Sequence, residues 1–151
     1  DIRVNLRKFF YLASGSYKGA RSVATLSEKK DLLSDIQDPL SLGTWCSEDD
    51  LDFYTKEFER SGFRGPLNYY RNHNLTWELT AGGPQEIQQP AMFAAGDRDG
   101  VIALAKDALE KMPSFIKDLR VNKLIPGIGH WTQQEAPDDV NSILLNFLAS
   151  L

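Results

Sequence analysis

Three side chains have the types and spacing for acid–base chemistry. Asp97 and Asp99 lie in Gly96-Asp97-Arg98-Asp99-Gly100, and His130 lies in Gly127-Ile128-Gly129-His130-Trp131. Each run follows a short apolar stretch with the character of a buried strand, residues 89–96 and 121–126. In a parallel sheet, functional groups collect just past the carboxyl ends of the strands. An acid after one strand and a histidine after the next therefore stand side by side. The chemistry is that of a base and its orienter: the carboxylate accepts one ring N–H and leaves the other nitrogen free to take a proton. Singly, each residue has a plainer explanation. Asp99 before Val101 suits a helix N-cap, and a histidine in a Gly-rich turn is more often structural. The pairing is what points to catalysis.

The elements around these runs follow from periodicity and punctuation. Residues 101–112 carry apolar side chains at helical spacing. A last helix starts at Pro137, with Val140, Ile143, Leu144, Phe147, Leu148 and Leu151 directed inward. The result is a βαβα unit with a right-handed crossover. Upstream of Gly82-Gly83-Pro84 the sequence reads as helical. A first helix runs from residue 1 to about 14, and a long connection holds one short helix near 27–36. A second clear helix opens at Ser47, with Asp50 at the capping-box position and Gly62 closing it. A further short helix follows Gly65-Pro66 and carries Leu67, Tyr69, Tyr70 and, towards its end, Trp77. The expected organisation is a helical cap over residues 1–83 and part of an α/β core over residues 84–151. Two strands are fewer than a doubly wound sheet needs. The first helix also begins without an evident cap or an initiator Met. Both features lead us to expect that the natural fold extends upstream.

Composition narrows the function class. The 151 residues are 42 % hydrophobic and 25 % charged with a net charge of −4, a globular balance. No basic run is dense enough to track phosphates, so no nucleic-acid partner is expected. No apolar run approaches the ~20 residues of a membrane span. The single cysteine, Cys46, excludes an internal disulfide and favours the cytoplasm. His73 is expected to face solvent. Trp45, Trp77, Phe53 and Phe63 are expected in the cap core, and two histidines and one cysteine give no metal constellation.

Whole motifs go further. Gly129-His130-Trp131-Thr132-Gln133-Gln134-Glu135-Ala136-Pro137 resembles the histidine loop of the α/β-hydrolase-fold epoxide hydrolases. Gly62-Phe63-Arg64-Gly65-Pro66-Leu67-Asn68-Tyr69-Tyr70-Arg71-Asn72 resembles their cap-domain tyrosine motif, the most specific of the three. Pro90-Ala91-Met92-Phe93 is similar to the strand that delivers their charge-relay acid. The fold the resemblance implies is a partial α/β-hydrolase fold: a helical cap followed by the last two parallel strands and helices of the core.

The resemblance implies a role for each residue. Tyr70 is one of two cap tyrosines that support and protonate the epoxide oxygen, with Tyr69 as its fallback. On a helix the two point about 100° apart, so only one faces the pocket. His130 activates the water that cleaves an alkyl-enzyme ester, and Asp99 orients it, with Asp97 as the fallback. The nucleophilic aspartate, the oxyanion donors and the second tyrosine have no counterpart in this sequence. They are expected in an N-terminal half, on the same or a separate chain. The substrate implied is a small epoxide, with no cofactor and no metal, and a homodimer is left open. The runner-up readings are a related dehalogenase or esterase, or a catalytically silent hydrolase fragment.

Overall fold

The computed structural model describes residues 1–19, 33–84 and 86–151. Helix α1 (Ile2–Ala13) is capped after all: the Asp1 side chain accepts the Val4 N–H at 3.1 Å. This corrects the expectation of an uncapped start. The short helix expected near 27–36 falls mostly outside the described residues, and 33–36 form a turn.

Helix α2 (Glu48–Ser61) forms where its capping box foresaw. Ser47 accepts the Asp50 N–H, the Asp50 carboxylate accepts the Ser47 N–H, and Gly62 ends the helix at φ 68°. α1 and α2 share one core, in which Leu6, Phe10, Leu42, Cys46 and Leu51 are buried together. Leu51 is only 1 % exposed. Arg3 ties the two helices by reaching Glu48 at 2.5 Å and Asp52 at 2.8 Å. Arg7 grips Asp38 through two parallel hydrogen bonds, at 2.7 and 2.5 Å.

The single helix expected after Gly65-Pro66 is two. α3 (Arg64–Arg71) and α4 (His73–Thr80) are separated at Asn72. Pro66 sits in the first turn of α3, where its missing N–H leaves no helical bond unmade. Neither helix buries a residue. Trp77 is 72 % exposed and Phe53 is exposed too, so neither belongs to a cap core as expected. An apolar side chain can be buried only where another element covers it, and no described element covers these. Phe63 stacks on Phe58, with ring centroids 4.6 Å apart, but is itself exposed rather than in a core.

The sheet consists of two parallel strands, β1 (Ile87–Gly96) and β2 (Ile116–Ile125). Both start earlier than expected, β2 by five residues. Its polar residues alternate with half-buried ones, which hid the strand from a search for apolar runs. The crossover helix is interrupted at Ala105, giving α5 (Gly100–Leu104) and α6 (Lys106–Phe115). After β2 come α7 (Thr132–Glu135) and α8 (Pro137–Leu148). Ile125, Ala136 and Ile143 form a second buried cluster, flanked by Met92, Val121 and Val140. Leu144, Leu148 and Leu151 are exposed rather than inward, because the described sheet offers α8 only two strands to pack on.

The Arg7–Asp38 pair gives the α1 region a pH dependence. The Arg7 guanidinium beside Asp38 holds its carboxyl below the ordinary value of 3.8. A depressed folded-state pKa contributes stability that is present above the unfolded value and lost as the pH falls through the folded one. Urea midpoints should therefore separate the parent from Asp38→Asn at pH 7 and converge as the pH drops below about 4. A gap that persists unchanged at pH 2 would contradict this assignment.

Candidate active site

β1 and β2 end level, with Gly96 opposite Ile125, so the loops that leave them run side by side. Backbone hydrogen bonds join the two loops. Asp97 N–H donates to the Ile125 carbonyl at 3.1 Å, and Arg98 N–H donates to Ile128 at 2.9 Å. The Asp97 carboxylate accepts the Gly127 N–H at 2.7 Å. Gly127 has φ 78°, a conformation that favours glycine. Asp97 thereby shapes the loop that carries His130, and of the two acids it is Asp99 whose carboxylate lies within hydrogen-bonding distance of the His130 ring.

Asp99 faces His130. Its Oδ2 lies 3.0 Å from the imidazole Nδ1. The other oxygen, Oδ1, accepts the Val101 N–H at 2.9 Å and caps α5. The N-cap reading of Asp99 is correct for one oxygen, and the other oxygen contacts the imidazole. The Asp99 side chain is 12 % exposed and that of His130 is 46 % exposed. The acid is thus sheltered while the ring stays accessible. With a proton on Nδ1 donated to Asp99, Nε2 carries a lone pair and can take a proton from a bound molecule.

A third segment supports the histidine loop from beneath. His130 N–H donates to the carbonyl of Ala13, at the end of α1, at 2.9 Å. The Trp131 indole N–H donates to the Phe10 carbonyl at 2.8 Å, and its ring stands edge-on to Phe9, Phe10 and His130. Glu135 accepts N–H groups from Gly15, Gly129 and Trp131. Sequence reasoning assigned neither Glu135 nor Gly15 a place at the site, although Glu135 stands inside the histidine motif itself. No local pattern announces a carboxylate whose partner is 120 positions away.

Tyr69 and Tyr70, expected to serve the site, are placed differently. Tyr70 is 66 % exposed on α3, with its ring against Tyr69 and His73. The described contacts do not join it to His130. His73 is exposed, as expected. A cavity of about 180 Å³ lies beside Trp131, walled by Phe10, Trp45, Tyr54 and Gln134. Cys46 also borders it, but burial, aided by Asp50 and Glu48, pushes its thiol above the ordinary value, which disfavours the nucleophilic thiolate. A larger apolar groove of about 480 Å³ lies at the opposite, amino-terminal ends of the strands, near Ile87 and Ile116. Among the described residues, no group of three or more His, Cys, Asp or Glu is arranged to hold a metal ion, and no helix is long and apolar enough to cross a membrane.

Comparison with known proteins finds no matching family model. Individual proteins do match. The chain is 40 % identical over 114 residues to epoxide hydrolase B of Mycobacterium tuberculosis, covering 75 % of this chain and 32 % of that protein. It is 33 % identical over 142 residues to bifunctional epoxide hydrolase 2 of Mus musculus, covering 93 % of this chain and 25 % of that protein. The solved structure of an epoxide hydrolase from an endophytic Streptomyces superposes with a TM-score of 0.90 at 35 % identity, over 99 % of this chain and 46 % of that one. The chain spans less than half the length of each of these relatives.

The loops come closest at glycines, where a side chain would not fit. A Cβ on Gly96 would overlap the carbonyl oxygens of Ile128 and Gly129, and one on Gly129 would overlap the backbone of Ala13, Ser14 and Gly15. Gly96→Ala should cost about 1–3 kcal/mol in denaturant unfolding, the usual penalty of overpacking, and should displace the His130 loop from Asp99. An alanine variant as stable as the parent would show that the loops do not press together as described.

Proposed function

We propose, for a chain that belongs to the α/β-hydrolase-fold epoxide hydrolases and spans part of their length, that His130 is the general base of epoxide hydrolysis. The observation that carries the reading is the 3.0 Å approach of His130 Nδ1 to Asp99 Oδ2 at the carboxyl ends of two parallel strands. Residues 1–83 act as the cap, and residues 84–151 act as the last part of the core. The cytoplasm is the compartment we assign, in keeping with a lone buried thiol.

The reaction has two stages. A carboxylate, supplied by the portion of the fold that these 151 residues do not match in their relatives, attacks the less hindered epoxide carbon. The carbon–oxygen bond breaks, and the released oxygen takes the phenolic proton of Tyr70. A phenol suits this step, since with an ordinary pKa near ~10 it remains a donor at neutral pH and can stabilise a developing alkoxide. The product of this stage is an alkyl ester of the enzyme.

Water then enters. His130 Nε2 removes its proton as the oxygen adds to the ester carbonyl carbon. The resulting imidazolium is stabilised by Asp99 and returns a proton to the departing alkoxide, which leaves as the vicinal diol. The carboxyl group formed loses its proton, through water, to the tyrosinate, and the starting state is restored.

The two stages separate by mutation. In the full natural protein given styrene oxide, His130→Gln should accumulate protein plus one epoxide by intact-mass measurement. Diol release should fall by roughly 10²–10⁴-fold. Tyr70→Phe should instead slow formation of the adduct. A His130→Gln protein that releases diol at the parental rate would overturn the assignment, as would one that loses turnover without ever forming the adduct.

A further inference from the structure

Glu135 is half-buried, and among the described residues its partners are all backbone N–H groups. Oε2 accepts Gly15 N–H at 2.7 Å and Gly129 N–H at 3.2 Å, and Oε1 accepts Trp131 N–H at 3.2 Å. Two of these donors flank His130 directly. The third belongs to the turn that follows α1. A carboxylate is the group for such a place: it accepts on both oxygens, and its charge strengthens each bond.

The contact with Trp131 alone would be a local cap, since Trp131 precedes α7 and Glu135 ends it. The contact with Gly15 is not local. It joins the start of the chain to the histidine loop at a point where Gly15 and Gly127 already touch too closely for a side chain. The backbone of His130 is fixed by the same neighbourhood, through its own N–H to Ala13. The position of the imidazole is therefore set from both sides, by Asp99 on the ring and by Glu135 on the peptide groups before and after it.

We propose that Glu135 is a positioning residue for His130, clasping the histidine loop to the end of α1 so that Nδ1 stays within reach of Asp99. The proposal rests on the reading of His130 as the base. It adds that the first helix, through Ala13 and Gly15, belongs to the machinery that aims this base.

Glu135→Gln is the informative change. Gln keeps the size and one acceptor oxygen, but its NH₂ must face either Trp131 N–H or the Gly15 and Gly129 N–H groups, donor against donor. In the full natural protein, with folding checked by circular dichroism, amide hydrogen exchange should speed up at Gly15, Gly129 and Trp131. With styrene oxide, kcat should fall roughly tenfold to a hundredfold, as for a small misplacement of a reacting group, while KM stays within about twofold. Glu135→Asp, one methylene shorter, should not rescue kcat. Faster exchange with kcat unchanged would reduce Glu135 to a structural role, and unchanged exchange would remove the clasp altogether. Should the variant not fold, exchange in the parent decides: the three amides should be protected to the same degree, and unrelated rates would overturn the proposal. If the parent turned over no epoxide, the base assignment would fail while the exchange results still judged the clasp.

Discussion

Backbone meets backbone at the carboxyl ends of β1 and β2, and everything else at the candidate site depends on that closeness. Gly96 lies against Ile128 and Gly129, and Gly129 in turn lies against the turn after α1. Only residues without a Cβ permit three segments to converge at this distance. The convergence lets short side chains bridge them: Asp97 to Gly127, Asp99 to His130, and Glu135 to Gly15 and Gly129. A bulkier backbone would separate the loops and leave these carboxylates without their partners.

Each carboxylate then does a different task because each meets a different donor. Asp97 meets a peptide N–H and holds a left-handed turn. Asp99 divides its oxygens between the first turn of α5 and the imidazole. An acid anchored at one oxygen loses little further freedom when the other meets the histidine, so the pair forms at small entropic cost. The Trp131 ring closes the arrangement by packing on Phe9 and Phe10 while its indole N–H is satisfied by the Phe10 carbonyl.

Much of this was legible in the sequence. The capping box at Ser47 and Asp50, the C-cap at Gly62 and the proline start of α8 are local signals, and they were read correctly because their physics is local. The strand-end placement of Asp99 and His130 was also legible, since the crossover rule carries an acid and a histidine to one sheet end. The early start of β2 was not, because its charged residues broke the apolar run. Nor was the exposure of Trp77, Leu144 and Leu148, since periodicity shows which face of a helix is apolar but not whether another element covers it. The Glu135–Gly15 contact was illegible for a simpler reason: it depends on where the chain returns after more than a hundred residues.

The central claim is that Asp99 fixes the tautomer of His130 and leaves Nε2 as the base. Long-range ¹H–¹⁵N correlation spectra of the imidazole at a pH where the ring is neutral test it most directly. The expected result is a protonated Nδ1 and an unprotonated, acceptor-type Nε2, with Asp99→Asn disturbing that preference. A neutral ring carrying its proton on Nε2 in the parent protein would contradict the account, because Nδ1 would then have no proton to give Asp99 and Nε2 no lone pair with which to accept one.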